Sequence, residues 1–173
     1  MPGSGKSTIV SALKTKGFEA LNLGDGVRAE ARRRNLELSG DNLGKLMLEL
    51  REKNGPGAIA ELLTAPIRNS QAKVIIIDGV RSIAEIEVLK NVGTVKLLSI
   101  EAAADTRYKF LSSRGRSDDP ATREKFEERD NRELGVGIGE SIAIADETIS
   151  NSDITLDELT ELAYKVIEKW IDT

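Results

Sequence analysis

The first eight residues, Met-Pro-Gly-Ser-Gly-Lys-Ser-Thr, match the end of the phosphate-binding pattern G-x-x-x-x-G-K-[ST]. In such a loop, glycines let successive backbone N–H groups converge on a phosphate. The lysine reaches the outer phosphate oxygens, and the hydroxyl after it offers a ligand to Mg²⁺. A helix pattern follows at once and adds a positive N-terminus. We refer to residues 1–8 as the phosphate loop. The pattern predicts that its ATP-binding residues are Gly3, Ser4, Gly5, Lys6, Ser7 and Thr8, with Ser7 also binding Mg²⁺.

The phosphate loop is incomplete at its start, because the first glycine of the pattern falls one position before Met1. The strand that should deliver the loop is absent too. Without that strand, two later apolar runs would flank an unfilled position with unpaired backbone groups. We therefore expect the natural chain to begin upstream with an apolar strand, which the intact mass of the native protein would test.

Two Asp and Arg pairs follow predicted strands. Asp25 and Arg28 lie three residues apart at the start of a helix pattern, which places both side chains on one face. The alternative for this pair is a capping aspartate with a solvated arginine. Asp78 closes the strongest apolar run, where a carboxylate can hold Mg²⁺. Three residues later, Arg81 can clamp an anionic acceptor.

Residues 114–140 are rich in glycine and in both signs of charge, with few apolar anchors, which predicts a mobile lid. Asp118 and Asp119 are expected to orient arginines while the lid is open. Arg123 and Arg132 are better interpreted as ion-paired residues on a solvated helix face. Three arginines are predicted to neutralise the transferring phosphates: Arg114, Arg116 and Arg129.

Helix patterns alternate with short runs typical of strands at about residues 18–23, 74–77, 95–100 and 148–150. This alternation predicts an α/β fold, a parallel sheet with helices on both faces. A helical insertion spans about residues 25–70. Capping boxes are indicated at Ser82 with Glu85 and at Thr155 with Glu158. The last helix carries an apolar stripe interpreted as core: Leu156, Leu159, Leu162, Val166, Ile167 and Trp170.

The composition excludes several classes of chemistry. The 173 residues suit one domain, residues 1–173, and they include no Cys and no His. Disulfides, thiolate nucleophiles, zinc sites and imidazole bases are therefore excluded. The formal charge of −4 argues against a broad nucleic-acid surface. No apolar run is long enough to span a bilayer, so we expect a cytoplasmic protein without a membrane partner.

Together these motifs, in this order, resemble the nucleoside monophosphate kinases, adenylate kinase above all. The end of the chain also resembles dephospho-coenzyme A kinase, through Ala145-Asp146-x-x-Ile149-x-Asn151. The closest resemblance is to an archaeal family of adenylate kinase-related P-loop proteins. That resemblance rests on Arg-Gly-Arg-Ser-Asp-Asp-Pro at 114–120 and Glu-Leu-Gly-Val-Gly-Ile-Gly-Glu at 133–140. It covers essentially the whole chain.

The resemblance implies a P-loop fold of the nucleotide kinase type, with ATP and Mg²⁺ at the phosphate loop and Asn151 beside the adenine. It implies that Asp25, Arg28 and Arg81 line the acceptor site. The segment Asp78-Gly79-Val80-Arg81 is one residue shorter than its counterpart in adenylate kinases, so the acceptor base pocket does not carry over. The spacing after Asp119 also differs, which leaves Arg129 or Arg132 as the second lid arginine.

We therefore expect transfer of the ATP γ-phosphoryl group to a small, nucleotide-like phosphorylated acceptor. Such a reaction needs positioning, Mg²⁺ and arginines rather than a strong base. One alternative is a slow ATPase that acts as a switch or assembly factor on a protein or RNA partner. The second is dephospho-coenzyme A kinase, whose hydroxyl acceptor would need a general base, with Asp25 as the candidate.

Overall fold

The structure is a computed structural model that describes residues 1–115 and 119–172. It confirms the alternation of helices and strands. Within the described residues, the chain forms two compact units. The first consists of Met1–Gly17 and Lys96–Thr173, and the second of Phe18–Val95. We call them unit 1 and unit 2 and describe each by itself.

Unit 2 is built on two parallel strands, β1 (Glu19–Asn22) and β2 (Ile75–Asp78). Their register pairs Asn22 with Asp78, so both polar residues close their strands at the same edge. The four helices of this unit are α2 (Leu23–Arg33), α3 (Gly40–Asn54), α4 (Ala58–Asn69) and α5 (Ile83–Lys90). The first three of these helices span nearly the same residues as the predicted helical insertion, whose role as an insertion stays a prediction. Their apolar faces meet in one core that includes Leu23, Leu46 and Ile59.

Unit 1 also contains a parallel strand pair, β3 (Leu98–Glu101) and β4 (Glu147–Ser150). Its helices are α1 (Lys6–Thr15), α6 (Ala104–Arg114), α7 (Arg123–Val136), α8 (Ile138–Ala143) and α9 (Leu156–Ile171). Helices α1 and α9 pack together. Their buried side chains include Leu13, Leu159 and Ala163, each at most 1% exposed.

Parallel pairing is confirmed, but the four strands of the described residues form two separate two-stranded sheets rather than one sheet. Each strand has a single partner, so neither pair extends into a wider sheet in this part of the chain.

None of the helices in the described ranges combines the length and the apolar character needed to cross a bilayer.

Three local predictions need correction. The capping box at Thr155 and Glu158 is complete, but only half of the other box forms. Ser82 accepts from the Glu85 N–H, whereas the Glu85 carboxylate accepts from the N–H of Arg81. This exchange happens because Arg81 N–H lies in the turn that precedes the helix and needs an acceptor.

The apolar stripe of α9 is also narrower than predicted. Leu156 and Leu162 are exposed, while Leu159 and Ile167 are buried, because only one face of α9 meets the rest of the unit. The predicted lid is better anchored than its composition suggests. Phe126 of α7 is 1% exposed and packs edge-on against Tyr108 of α6, with ring centroids 5.5 Å apart.

Candidate functional site

Two glycines of the phosphate loop adopt backbone conformations that other residues rarely reach. Gly3 has φ +80° and Gly5 has φ +101°. A Cβ atom on Gly3 would lie 2.7 Å from the carbonyl oxygen of Arg107. One on Gly5 would lie 2.7 Å from Nδ2 of Asn151. Both positions therefore require glycine for conformation and for space.

The phosphate loop leads directly into α1, whose N-cap is Gly5. No side chain caps this end. The N–H of Thr8 already donates to the carbonyl oxygen of Gly5, while the N–H groups that precede it have no acceptor one turn earlier in the helix. Exposed donors at a helix N-terminus, joined to tight glycine turns, form a cradle for a phosphate anion. The loop thus fits the group that the sequence predicts for it.

Lys6 forms hydrogen bonds with two other residues of the phosphate loop. Its Nζ donates to the carbonyl oxygen of Met1 at 2.6 Å and to Oγ of Ser4 at 3.1 Å. Ser4 is completely buried, which fixes one of these partners in place. A bound phosphate would compete with these two oxygens for the Lys6 ammonium group, because a charged acceptor forms the stronger hydrogen bond.

Asn151 holds the phosphate loop from the far end of the chain. Its Nδ2 donates to the carbonyl oxygen of Ser4 at 3.0 Å, and its own N–H donates to Glu101 at 2.7 Å. The residue is 2% exposed. The prediction that Asn151 lies beside the adenine stays a prediction, while the structure gives it a direct contact with the loop.

Arg107 is a site residue that the sequence analysis missed. It is buried in α6, and its guanidinium donates to the carbonyl oxygen of Pro2 and to both carboxylate oxygens of Asp130. Arg107 and Leu111 lie four residues apart on the buried face of α6. An arginine on an otherwise apolar helix face is the sequence feature that could have identified it, because buried arginines need a partner. Its partners were not predictable from spacing, because they lie on other elements.

The lid arginines differ in their surroundings. Arg114 forms a bidentate pair with Asp119, as expected for an arginine oriented by a carboxylate. Arg129 lies on the inward face of α7 with Phe126, whereas Arg132 is exposed. Which of the two is the second lid arginine stays a prediction. The remaining predicted lid residues, Arg116 and Asp118, lie outside the described residues.

Arg123 has the ion-paired role that the sequence indicates. It donates to Asp105 at 2.6 Å and to Glu127 at 3.1 Å. Hydrogen bonding from Arg123, reinforced by its charge, holds the pKa of Asp105 below its ordinary value. The pair joins α6 to α7 on the surface of unit 1.

In unit 2, the candidate metal ligand Asp78 has a neighbour that was not predicted. Asn22 donates from Nδ2 to Oδ2 of Asp78 at 2.9 Å. The side-chain oxygen Oδ1 of Asn22 in turn accepts from the N–H of Gly24 at 2.7 Å and caps α2. The sequence shows Asn22 only as the last residue of a strand, so its pairing depends on the register of β1 and β2.

The predicted acceptor residues of unit 2 are differently placed. Arg28 donates to Asp25 at 2.7 Å, and both side chains are well exposed. Arg81 donates from Nη1 to the carbonyl oxygen of Gly79. Its backbone N–H donates to Glu85 at 2.7 Å, and Glu85 also pairs with Arg51 of α3. The turn that carries Arg81 is thus fixed by a buried carboxylate.

Magnesium would need few protein ligands here. The described residues contain no cluster of three or more acidic side chains that could bind a metal alone. The Ser7 hydroxyl of unit 1 and the Asp78 carboxylate of unit 2 each suit an ion that keeps waters and takes other ligands from phosphates, and both stay predicted ligands.

Comparison with known proteins finds a matching family model, similar sequences and a similar solved structure. A family model described as an AAA domain, AAA_17, matches residues 1–127. A UPF0200 protein of Hyperthermus butylicus is 37% identical over 98% of this chain and 90% of its own length. One from Pyrococcus abyssi is 40% identical over 88% of this chain and 84% of its own length. The crystal structure of TT1252 from Thermus thermophilus has a TM-score of 0.68, covering 96% of this chain and 93% of its own. At 18% identity that similarity shows the fold alone.

Proposed function

The chain belongs to the UPF0200 family and carries a P-loop kinase-like domain of the AAA_17 type, and on that premise we propose a phosphotransferase. It transfers the γ-phosphoryl group of ATP, with Mg²⁺, to a small phosphorylated acceptor that resembles a nucleotide. The observation that carries the proposal is the phosphate loop itself. It combines two glycines at positive φ, a helix N-terminus without a side-chain cap, and Lys6, which are features that bind a phosphate.

The residues of unit 1 would act on the donor. Backbone N–H groups of the loop would hold the β-phosphate, and Lys6 would exchange its loop oxygens for phosphate oxygens. Arg114, Arg116 and Arg129 would neutralise the charge that develops on the transferring group. Of these, Arg114 is already oriented by Asp119.

The residues of unit 2 would act on the acceptor. Arg81, on a turn fixed by Glu85, would clamp the acceptor phosphate, while Asp25 and Arg28 would contact the rest of the molecule. Asp78 of this unit would be a ligand of Mg²⁺, as Ser7 would be in unit 1, and the ion neutralises phosphate charge when bound. A phosphate acceptor supplies its own nucleophilic oxygen, so no strong base is required.

The test is turnover of Mg²⁺-ATP with and without a panel of nucleoside monophosphates and dephospho-coenzyme A. We expect equal amounts of ADP and phosphorylated acceptor, lost in Lys6→Met and kept in Lys14→Met. Lys14 is the matched control, an exposed lysine on the same helix. Transfer of phosphate to a nucleoside monophosphate would identify the acceptor class. We propose the cytoplasm as the place of the reaction, because Mg²⁺-ATP is supplied there.

Two other outcomes would contradict the proposal. Tight ATP binding with slow hydrolysis that no acceptor stimulates would favour a switch or assembly factor with a protein or RNA partner. Transfer only to dephospho-coenzyme A would instead require a base for the hydroxyl, and Asp25→Asn would then reduce turnover more than Arg81→Ala.

A further inference from the structure

Arg107 connects the phosphate loop to helix α7 through one buried guanidinium group. We propose that it is a positioning residue that transmits nucleotide binding at the loop to α7, the helix that carries Arg129. The inference rests on the proposed function, because it assumes that a nucleotide occupies the loop. It adds a physical link between that ligand and the placement of the lid.

The loop end of this link involves both the backbone and the side chain of Arg107. Its Nη1 donates to the carbonyl oxygen of Pro2 at 3.1 Å. Its carbonyl oxygen lies only 2.7 Å from the position that a Cβ atom on Gly3 would take, which is too close for a side chain. The side chain of Leu111, one turn later on α6, would lie 2.9 Å from the same Cβ. The loop is therefore packed directly on α6, so a shift of Pro2 or Gly3 towards this helix would press on Arg107.

The helix end of the link is a bidentate ion pair. Nη1 and Nη2 of Arg107 donate to the two carboxylate oxygens of Asp130 at 2.9 and 2.5 Å. The guanidinium carbon also lies 4.9 Å from the centre of the Phe126 ring. The side chain of Arg107 is only 7% exposed and that of Asp130 only 16%. A buried, forked pair of this kind fixes the rotation of α7 as well as its distance.

These two contacts make the loop and α7 respond to each other. A phosphate that binds Lys6 would release the carbonyl oxygen of Met1, while Arg107 still holds the next residue, Pro2. The resulting shift of the loop would reach α7 through Asp130. Arg129 directly precedes Asp130 on that helix, so it would move with it. Nucleotide binding would thereby reduce the freedom of α7 to open.

The experiment compares hydrogen exchange of α7 with and without a non-hydrolysable ATP analogue and Mg²⁺. Asp130→Asn removes the charge from the α7 end of the link but leaves Arg107 in contact with Pro2. Arg107→Lys keeps the charge but loses the fork that reaches both partners. The control is Arg123→Lys. Arg123 also joins α6 to α7 and lies 5.3 Å from the same Phe126 ring, but its ion-pair partners, Asp105 and Glu127, lie outside the phosphate loop.

In the wild type and the Arg123→Lys control, we expect the analogue to slow exchange in α7. Asp130→Asn should bind the analogue almost as tightly as the wild type but lose this protection. Arg107→Lys should lose protection and bind about tenfold more weakly, as expected for one charge-assisted hydrogen bond. If Arg107→Lys does not fold, as judged by circular dichroism, the Asp130→Asn result decides alone.

Several results would overturn the inference. Protection of α7 that persists in Asp130→Asn and Arg107→Lys would show that the link is not used. Its loss in Arg123→Lys as well would show that any contact between α6 and α7 suffices. A wild type that binds the analogue without protecting α7 would defeat this inference and leave the proposed function standing. A wild type that does not bind the analogue would defeat both.

Discussion

The side-chain amide of Asn151 donates a hydrogen bond to the carbonyl oxygen of Ser4, a residue 147 positions earlier in the chain. Both residues are buried, with Ser4 at 0% and Asn151 at 2% exposure. The bond attaches Asn151, the residue that directly follows β4, to the phosphate loop. The shape of the loop therefore depends on the C-terminal part of unit 1, and substitutions there should affect nucleotide binding.

Asn151→Ala should destabilise the protein and weaken ADP binding. The carbonyl oxygen of Ser4 would lose its donor while still buried, which costs about 2 kcal/mol of unfolding free energy. Urea denaturation and calorimetric titration with ADP measure the two effects. Asn131→Ala, at an exposed position on α7, should change neither by more than about 0.5 kcal/mol. Equal behaviour of the two variants would contradict the role of Asn151.

Gly5→Ala should be far more damaging than Gly17→Ala. Both glycines have a positive φ, +101° and +93°, so both substitutions carry a backbone strain of about 1 kcal/mol. At Gly17 the new Cβ would meet no atom within 4 Å, whereas at Gly5 it would lie 2.8 Å from Cδ2 of Leu159 as well as against Asn151. We expect Gly5→Ala alone to lose measurable ADP binding. Comparable affinities in a titration would refute this explanation.

Asn22 should tune the magnesium requirement through Asp78. In Asn22→Ser, the serine can still cap α2, but its side chain is too short to reach the carboxylate of Asp78. The substitution therefore tests the contact with Asp78 alone. We expect about tenfold more Mg²⁺ for half-maximal turnover, as is typical when a metal ligand loses the hydrogen bond that orients it. Mg²⁺ dependence of nucleotide affinity is an independent readout. An unchanged Mg²⁺ requirement would remove Asn22 from the site.

Glu85→Gln should destabilise unit 2 much more than Glu87→Gln on the same helix. Glu85 is 1% exposed and pairs with Arg51, which would be left as a largely buried charge without its carboxylate. Breaking such a pair costs about 3 kcal/mol, whereas the exposed pair of Glu87 with Lys90 contributes less than about 1 kcal/mol. Urea denaturation distinguishes these values. The Michaelis constant for the acceptor should also rise, since Glu85 holds the turn of Arg81.

Glu30 should contribute to acid sensitivity. Hydrogen bonds from Arg33 and then Arg34 lower the pKa of Glu30 from 4.5 to about 2 in the folded protein. A carboxyl group with a lower pKa when folded stabilises the protein above pH 4.5, and this stabilisation is lost as the pH falls towards 2. In Glu30→Gln, the free energy of unfolding should therefore fall less steeply across that range. Glu52→Gln, at an exposed position on α3, should keep the wild-type slope.

Much of the fold could be predicted from the sequence because hydrophobic periodicity reports which faces are buried. The predicted run at 74–77 lies within one residue of β2, and the helix predicted at the phosphate loop is present as α1. The capping pattern at Thr155 and Glu158 is local and was correctly predicted. The exposed Leu156 shows the limit of this method, since periodicity does not say how wide a face the neighbours cover.

The polar contacts of the site could not be predicted in the same way. The pairs Asn22 with Asp78 and Arg107 with Asp130 join residues 56 and 23 positions apart. Side-chain pairing at such separations depends on strand register and helix rotation, which a single sequence does not encode in any short pattern. Residue types alone could identify Asp78 as chemically competent. The residues that orient such groups became visible only once the elements were placed.

The division of the chain into units also affects biosynthesis. Unit 2 is one continuous segment, Phe18–Val95, whereas unit 1 is assembled from the segments on either side of it. At 5 to 20 residues per second, a ribosome would need roughly 7 to 30 s to travel the 147 positions from Ser4 to Asn151. During that interval the phosphate loop lacks its partner on the C-terminal side. A nascent chain could therefore complete unit 2 well before it acquires a finished nucleotide site.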